Sequence, residues 1–252
     1  MNLKNLFLVF GLLFLASCKT DTHLYKIEGK NITITDSLRT DVAIDNFIKP
    51  YRDHLNKSMD SVLAYSANTY TKSDGELNTA IGNLMADIVY EESNPVFKKR
   101  TGNDIDFVLL NYGGIRSIIS KGPITMRTAF EMMPFENSVV VAKLNGTQIK
   151  EMLDYLANAK RAHPISHLKI VLDKNGKVAS ASVKNQAIDF NKSYYVATND
   201  YLYNGGDHMD FFKPSDTLYV LNYKIRNAII DYFKKVDTIK PVIDDRFIQF
   251  KN

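Results

Sequence analysis

Two short stretches of this 252-residue chain join paired glycines to side chains able to hold a ligand: "NYGGIR" at Asn111–Arg116 and "YLYNGGD" at Tyr201–Asp207. Adjacent glycines give up packing and backbone entropy, so the backbone at Gly113, Gly114 and again at Gly205, Gly206 must turn tightly or lie against another molecule. Arg116 then supplies a cation for whatever approaches there. Five histidines, His23, His54, His163, His167 and His208, are the other candidates for chemistry. His163 and His167 are spaced four apart and on a helix would suit a metal. Pro164 lies between them and "LKIVLD" reads as strand, so the expectation is a surface or partly buried pair with no metal. The sequence holds no G-x-S-x-G nucleophile motif, no phosphate-binding P-loop and no dinucleotide fingerprint.

The elements that position these loops follow from hydrophobic spacing. Alternation in "HLYKIEGKNITITDS" predicts a first strand, and Val42, Ile44, Phe47, Ile48 and Met59 predict a long helix interrupted near Pro50. "TAIGNLMADIVYEES" continues as a second helix. "DIDFVLL" is a short buried strand that delivers the chain into the first glycine loop. A short helix after "GPIT", the strand "NSVVVAKLNG", the amphipathic helix "TQIKEMLDYLANAK" and a hairpin turning at Lys174-Asn175-Gly176 come next. Strand "SYYVATND" delivers the second glycine loop, and "YKIRNAIIDYFKKV" is the last helix. The order predicts a single α+β domain of mixed sheets flanked by helices.

The start, "MNLKNLFLVFGLLFLASCKT", carries one lysine and an apolar run too short for the ~20 residues of a membrane span. It reads as a signal peptide over residues 1–17, ending in a lipobox whose Cys18 becomes a lipidated amino terminus. A tether and the first strand fill residues 18–35, and the domain occupies residues 36–252. The expected location is therefore outside the cytoplasm, anchored by lipid to a bacterial membrane on its periplasmic or surface face. Cys18 is the only cysteine, so no disulfide forms within the chain. Removing residues 1–17 takes away one lysine and leaves a net charge of +3. No basic run with interleaved aromatics occurs, and "FKKR" at 97–100 reads as a solvated helix end, so nucleic acid is not an expected partner.

Taken in order, "IGNLMAD" at 81–87, "NYGGIR" at 111–116, "PFENSVVVAKLNG" at 134–146, "ATNDYLYNGGD" at 197–207 and the closing "IKPVIDDRF" resemble the C-terminal domain of the 5′-nucleotidase family. In that family this domain binds the nucleoside part of the substrate, and a separate metallophosphatase domain holds two metal ions and cuts the ester. The resemblance implies that Phe135 and Tyr201 sandwich a base, with Asn111 bonding near it. It implies that Asp207, in the Asn204-Gly205-Gly206-Asp207 turn, accepts from ribose hydroxyls, and that Arg116 faces the sugar-phosphate side. Stacking of roughly 1–3 kcal/mol per base suits such a sandwich and is indifferent to base identity. The sequence also departs from the family pattern. An arginine usual before "GNL" is missing, leaving only Lys72 well upstream, and His167 and His208 stand where glycine is common, which would narrow the pocket.

The two-metal ligand set of the family is not assembled here. Asp21-Thr22-His23 and Gly206-Asp207-His208-Met209-Asp210 echo two of its fragments but are separated by almost the whole domain, and no G-N-H triplet exists. No cofactor and no catalytic residue are therefore expected in this chain, the divalent metals belonging to a separately encoded metallophosphatase. Three classes remain: a detached nucleotide-recognition domain serving that partner, an independent nucleoside-binding lipoprotein, and, last for want of ligands, a self-sufficient hydrolase.

Overall fold

The computed structural model describes residues 23–215 and 217–250. The signal peptide, the lipobox cysteine Cys18 and Asp21 lie outside the described residues. The chain divides into two units, residues 1–48 and 49–252. In the first, the expected strand is not formed among residues 23–35, where Tyr25, Ile27, Ile32 and Ile34 are all at least 79% exposed. Alternation makes a strand only where a neighbour takes up the backbone hydrogen bonds. Helix α1 (Val42–Met59) runs through Pro50 without the expected interruption and buries no residue. Asp41 caps its start by accepting from the Ala43 and Ile44 N–H groups.

In the second unit three mixed sheets are joined by helices, among them the short α3 (Met126–Met132) and α5 (Asp200–Tyr203). Strands β1 (Val62–Ser66), β3 (Gly122–Thr125) and β11 (Thr238–Ile239) form one, in the order β11-β1-β3. The central sheet runs β10-β4-β9-β2-β5, from β2 (Phe107–Leu109), β4 (Ser138–Leu144), β5 (Ile165–Ser166), β9 (Tyr194–Asn199) and β10 (Leu218–Lys224). The third, β12-β6-β7-β8, uses β6 (Leu168–Leu172), β7 (Val178–Val183), β8 (Gln186–Ala187) and β12 (Phe247–Gln249). The mixed α+β architecture expected from the sequence is the one observed.

Alternate side chains of the central sheet enter two different cores, because neighbours along a strand face opposite sides. Val108, Leu110, Val139, Val141 and Ala197 pack with α2 (Ala80–Thr101) and α6 (Ile225–Phe233). Phe107, Leu109, Ala142, Leu144 and Val196 pack with α4 (Gly146–Ala159) and the β6 sheet. A sheet covered on both faces reads as the continuous apolar runs seen in "FVLL" and "VVVA". α2 is capped by Thr79, whose hydroxyl accepts from the Gly82 N–H, and stops at Gly102, with φ of 76°. Its last turn carries Lys98, Lys99 and Arg100 while Phe97 is fully buried, the solvated helix end expected of "FKKR". α4 begins with a reciprocal cap between Asn145 and Gln148. Gly146 is obligatory there: a Cβ would lie 1.7 Å from the Phe190 carbonyl oxygen.

Candidate functional site

Strand pairing explains why the two glycine loops meet. β2 and β9 are adjacent and parallel, with Phe107 beside Val196 and Val108 beside Ala197, so the segments leaving their C-terminal ends emerge at one sheet edge. β4 is antiparallel to β9, with Val139 opposite Asn199, so the segment entering β4 reaches the same edge. Asp200 ties the two by accepting from the Ser138 N–H at 3.2 Å. Asn111, Gly113, Gly114, Arg116, Phe135, Asn137, Tyr201 and Asp207 line a cleft of about 340 Å³ at this edge.

The polar groups of the cleft form a chain across both loops. Asn111, buried, donates from Nδ2 to Asp207 Oδ2 at 2.7 Å, and Tyr201 donates from Oη to Asp207 Oδ1 at 2.9 Å. This contact with the carboxylate raises the Tyr201 phenol above its usual range. Asp207 itself has a left-handed backbone, φ 51°, a conformation that costs a non-glycine residue about 1 kcal/mol and must be held by its surroundings. Tyr155, on α4, holds it by donating to the Asp207 carbonyl at 2.8 Å. Small residues are required alongside: a Cβ on Gly114 would come within 3.1 Å of Asn111 Oδ1, and one on Gly206 within 2.4 Å of the Tyr201 ring. Phe135 and Tyr201 are 41% and 47% exposed. Arg116 lies 5.7 Å from the Phe135 centroid.

Behind the first loop stands His163, 3% exposed. Its Nδ1 accepts from the Tyr112 N–H at 3.2 Å, which assigns the ring proton to Nε2, a buried atom with no hydrogen-bond partner among the described residues. Burial lowers its pKa to about 4. The expectation of a surface or partly buried pair is corrected for this residue: the chain between α4 and β5 tucks beneath the glycine loop and takes His163 with it. His167 is exposed and stacks on Tyr90 with centroids 3.7 Å apart. Neither histidine lies on a helix. Among the described residues no group of three or more His, Cys, Asp or Glu is placed to hold a metal ion, and the residues present do not fit one.

Seven of the ten ligand-holding residues expected from the sequence line the cleft, and Asn204, Gly205 and Gly206 do not. Those three form the turn behind it, with Gly205 at φ 90° and the Asn204 amide on the Asp200 carbonyl. The two histidines expected to narrow the pocket do not line it either. Both have positive φ, 61° at His167 and 60° at His208, so they occupy glycine-like backbone rather than pocket space. Asn137 was missed by sequence reasoning, and its only signal is its place two residues after Phe135. Arg226 was missed too: buried, it donates to the Pro134 carbonyl at 3.0 Å, pairs with Glu136 and so fixes the segment presenting Phe135. "IGNLMAD" and "IKPVIDDRF" turn out to brace each other, Arg246 bonding Asp87 at 2.9 and 3.0 Å while Asn83 donates to the Val242 carbonyl.

The family model described as "5'-nucleotidase, C-terminal domain" matches residues 59–214, and this chain belongs to that family. It is 29% identical over 188 residues to the cell wall protein Lmo0130 of Listeria monocytogenes, a match covering 69% of this chain and 23% of that protein. It is 31% identical over 183 residues to the trifunctional nucleotide phosphoesterase protein YfkN of Bacillus subtilis, covering 67% and 12% respectively. The chain thus spans less than a quarter of the length of these curated relatives. The solved 5'-nucleotidase precursor from Thermus thermophilus superposes with a TM-score of 0.70 at 24% identity, over 82% of this chain and 43% of that one, a likeness of fold.

Proposed function

We propose that this chain is a nucleotide-recognition domain that presents nucleoside phosphates to a separately encoded metallophosphatase, the partner supplying divalent metals and hydrolysis. The observation that carries the reading is the cleft itself. Two exposed aromatic side chains, Phe135 and Tyr201, share it with a carboxylate, Asp207, already oriented by Asn111. Rings of this kind take a planar base between them, a fixed carboxylate takes the paired hydroxyls of a sugar, and Arg116 at the rim takes phosphate oxygens. Gly113 and Gly114 let the ligand approach the backbone. The absence of a metal-ligand group among the described residues supports assigning the bond-breaking step to another chain. Lipidation at Cys18 and export to the outer face of a bacterial membrane complete the proposal, resting on the lipobox at the end of the leading apolar run.

Calorimetry with adenosine and adenosine monophosphate tests the cleft. Phe135→Ala and Tyr201→Ala should each weaken binding by roughly 1–3 kcal/mol, about fivefold to 150-fold. Unchanged affinity in both variants sinks the reading. The chain alone should leave nucleoside monophosphates intact, and adding a metallophosphatase from the same organism should give turnover that Arg116→Ala lowers. Binding without any such partnership would instead make it an independent binding protein. Cys18→Ala should move the protein out of the membrane fraction.

A further inference from the structure

The exposed apolar side chains of the described residues are unevenly placed. Of the twenty-four large ones, twelve fall within residues 24–55, and the others are scattered over the rest of the chain as on any folded surface. Within that stretch α1 is amphipathic: Ile44, Ile48, Tyr51 and Leu55 recur every three or four residues, share one side of the helix and are each at least 41% exposed. The other side of α1 is tied to α3. Arg127 donates to Asn56 Oδ1 at 3.1 Å and to Asp60 Oδ1 at 2.9 Å, positions about 140° round the helix from the apolar stripe. The polar side is therefore the one held, and the apolar stripe points away from α3. An 18-residue helix is marginal in water without a surface against its apolar face, and α1 buries no residue. The stripe calls for a surface that covers it.

Position and charge select the occupant. Only 23 residues separate Cys18 from Val42, a length that spans at most ~80 Å, so a lipid on that cysteine keeps α1 beside a bilayer whatever path the connection takes. Leu24, Ile27, Ile32 and Ile34, all exposed, lie nearer still to that end. Among the described residues no helix is long and apolar enough to cross a membrane, so a contact would run along its surface. α1 carries Lys49, Arg52 and Lys57 against Asp45 and Asp53, a near balance that leaves apolar burial rather than charge to make the contact. We propose that α1 lies on the bilayer surface, with Ile44, Ile48, Tyr51 and Leu55 set into the boundary between headgroups and acyl chains, as a second membrane contact beside the lipid. The proposal rests on the anchored location argued from the lipobox. Because the lipid already holds the chain there, a contact too weak to retain the protein by itself suffices, and Cys18→Ala still releases the protein on washing.

The test uses the mature chain, residues 18–252, with Cys18→Ser, so that no acyl chain contributes. The sequence has no tryptophan, which allows single-tryptophan reporters: Leu55→Trp on the stripe and Asn46→Trp on the polar side. Both positions are exposed, so these variants should fold; thermal unfolding checks it. With phosphatidylcholine vesicles the Leu55→Trp emission should shift to the blue and be quenched by brominated lipid, and Asn46→Trp should do neither. Adding Ile44→Asp and Ile48→Asp to the Leu55→Trp reporter should weaken partitioning about tenfold or more, while added salt leaves it unchanged. No shift at Leu55→Trp, or equal shifts at both reporters, overturns the proposal. A shift that needs no vesicles and grows with protein concentration overturns it in favour of pairing between copies of this chain. Fractionation of cells separates the anchor from the helix: if Cys18→Ala leaves the protein's distribution unchanged while the reporters behave as stated, the anchor reading falls and the docking face stands.

Discussion

Replacing Gly206 by alanine tests whether the turn behind the cleft sets the position of its aromatic wall. The new Cβ would stand 2.4, 2.5 and 2.6 Å from three ring atoms of Tyr201, all far inside contact distance. Backbone on both sides is fixed by the turn, so the ring must swing away by about 1 Å or more. Tyr201 is 47% exposed and can do so into solvent, which keeps the stability cost below about 1 kcal/mol rather than the 1–3 kcal/mol of a closed core. Displacement breaks the 2.9 Å bond from Tyr201 to Asp207 and removes one stacking face, for a combined loss of ~2 kcal/mol in binding. Gly206→Ala should therefore bind adenosine monophosphate about thirtyfold more weakly than wild type. Because both substitutions act through one ring, Gly206→Ala combined with Tyr201→Ala should be no weaker than Tyr201→Ala alone. Calorimetry gives the affinities and urea unfolding the stabilities. Wild-type affinity in Gly206→Ala, or additive losses in the double variant, would refute the reasoning.

Tyr155→Phe should lower nucleotide affinity severalfold while costing about 1 kcal/mol of stability, since it removes a donor to the Asp207 carbonyl and leaves the ring in place; calorimetry and urea titration read both. His163 predicts a pH dependence. Its pKa is lowered to about 4 by burial, so between that value and ~6.5 the unfolded chain binds more protons, and stability falls as pH drops through this window by ~3 kcal/mol. Urea midpoints at pH 7 and pH 5 should differ in wild type and much less in His163→Gln. Gly146→Ala, whose Cβ would collide with the Phe190 backbone, should cost ~3 kcal/mol in urea unfolding because no side chain can yield there.

The cleft was legible because its loops are written locally: paired glycines, a flanking arginine and a carboxylate, each at the end of an apolar strand. What escaped depends on pairing between distant residues. "LYVLNYK" becomes β10 by pairing along the edge of β4. Residues 25–34 carry the better strand pattern and stay unpaired. His163 was expected at the surface or partly buried because Pro164 and the strand-like "LKIVLD" rule out a helical pair; its burial follows from the path of the chain beneath Tyr112. Asn83, Asp87 and Arg246 lay within segments quoted for their resemblance, yet their bonds join positions 159 residues apart and brace the scaffold. Sequence named the residues that line the cleft more readily than those that brace it.

The parallel pairing of β2 with β9 also sets the order in which the protein becomes competent. Phe107 meets Val196 only after the intervening chain, with β4 and α4, has been gathered between them. Contacts of such sequence separation are slow to form. The wall made by Asn111 and the wall made by Tyr201 and Asp207 therefore come together late, and a partly folded chain holds no cleft. A ligand of that cleft binds the finished fold alone, adding about 2.7 kcal/mol to its stability at a concentration one hundred times its dissociation constant. Under the proposed function, a nucleotide present while the chain folds would act as a trap for correctly folded molecules.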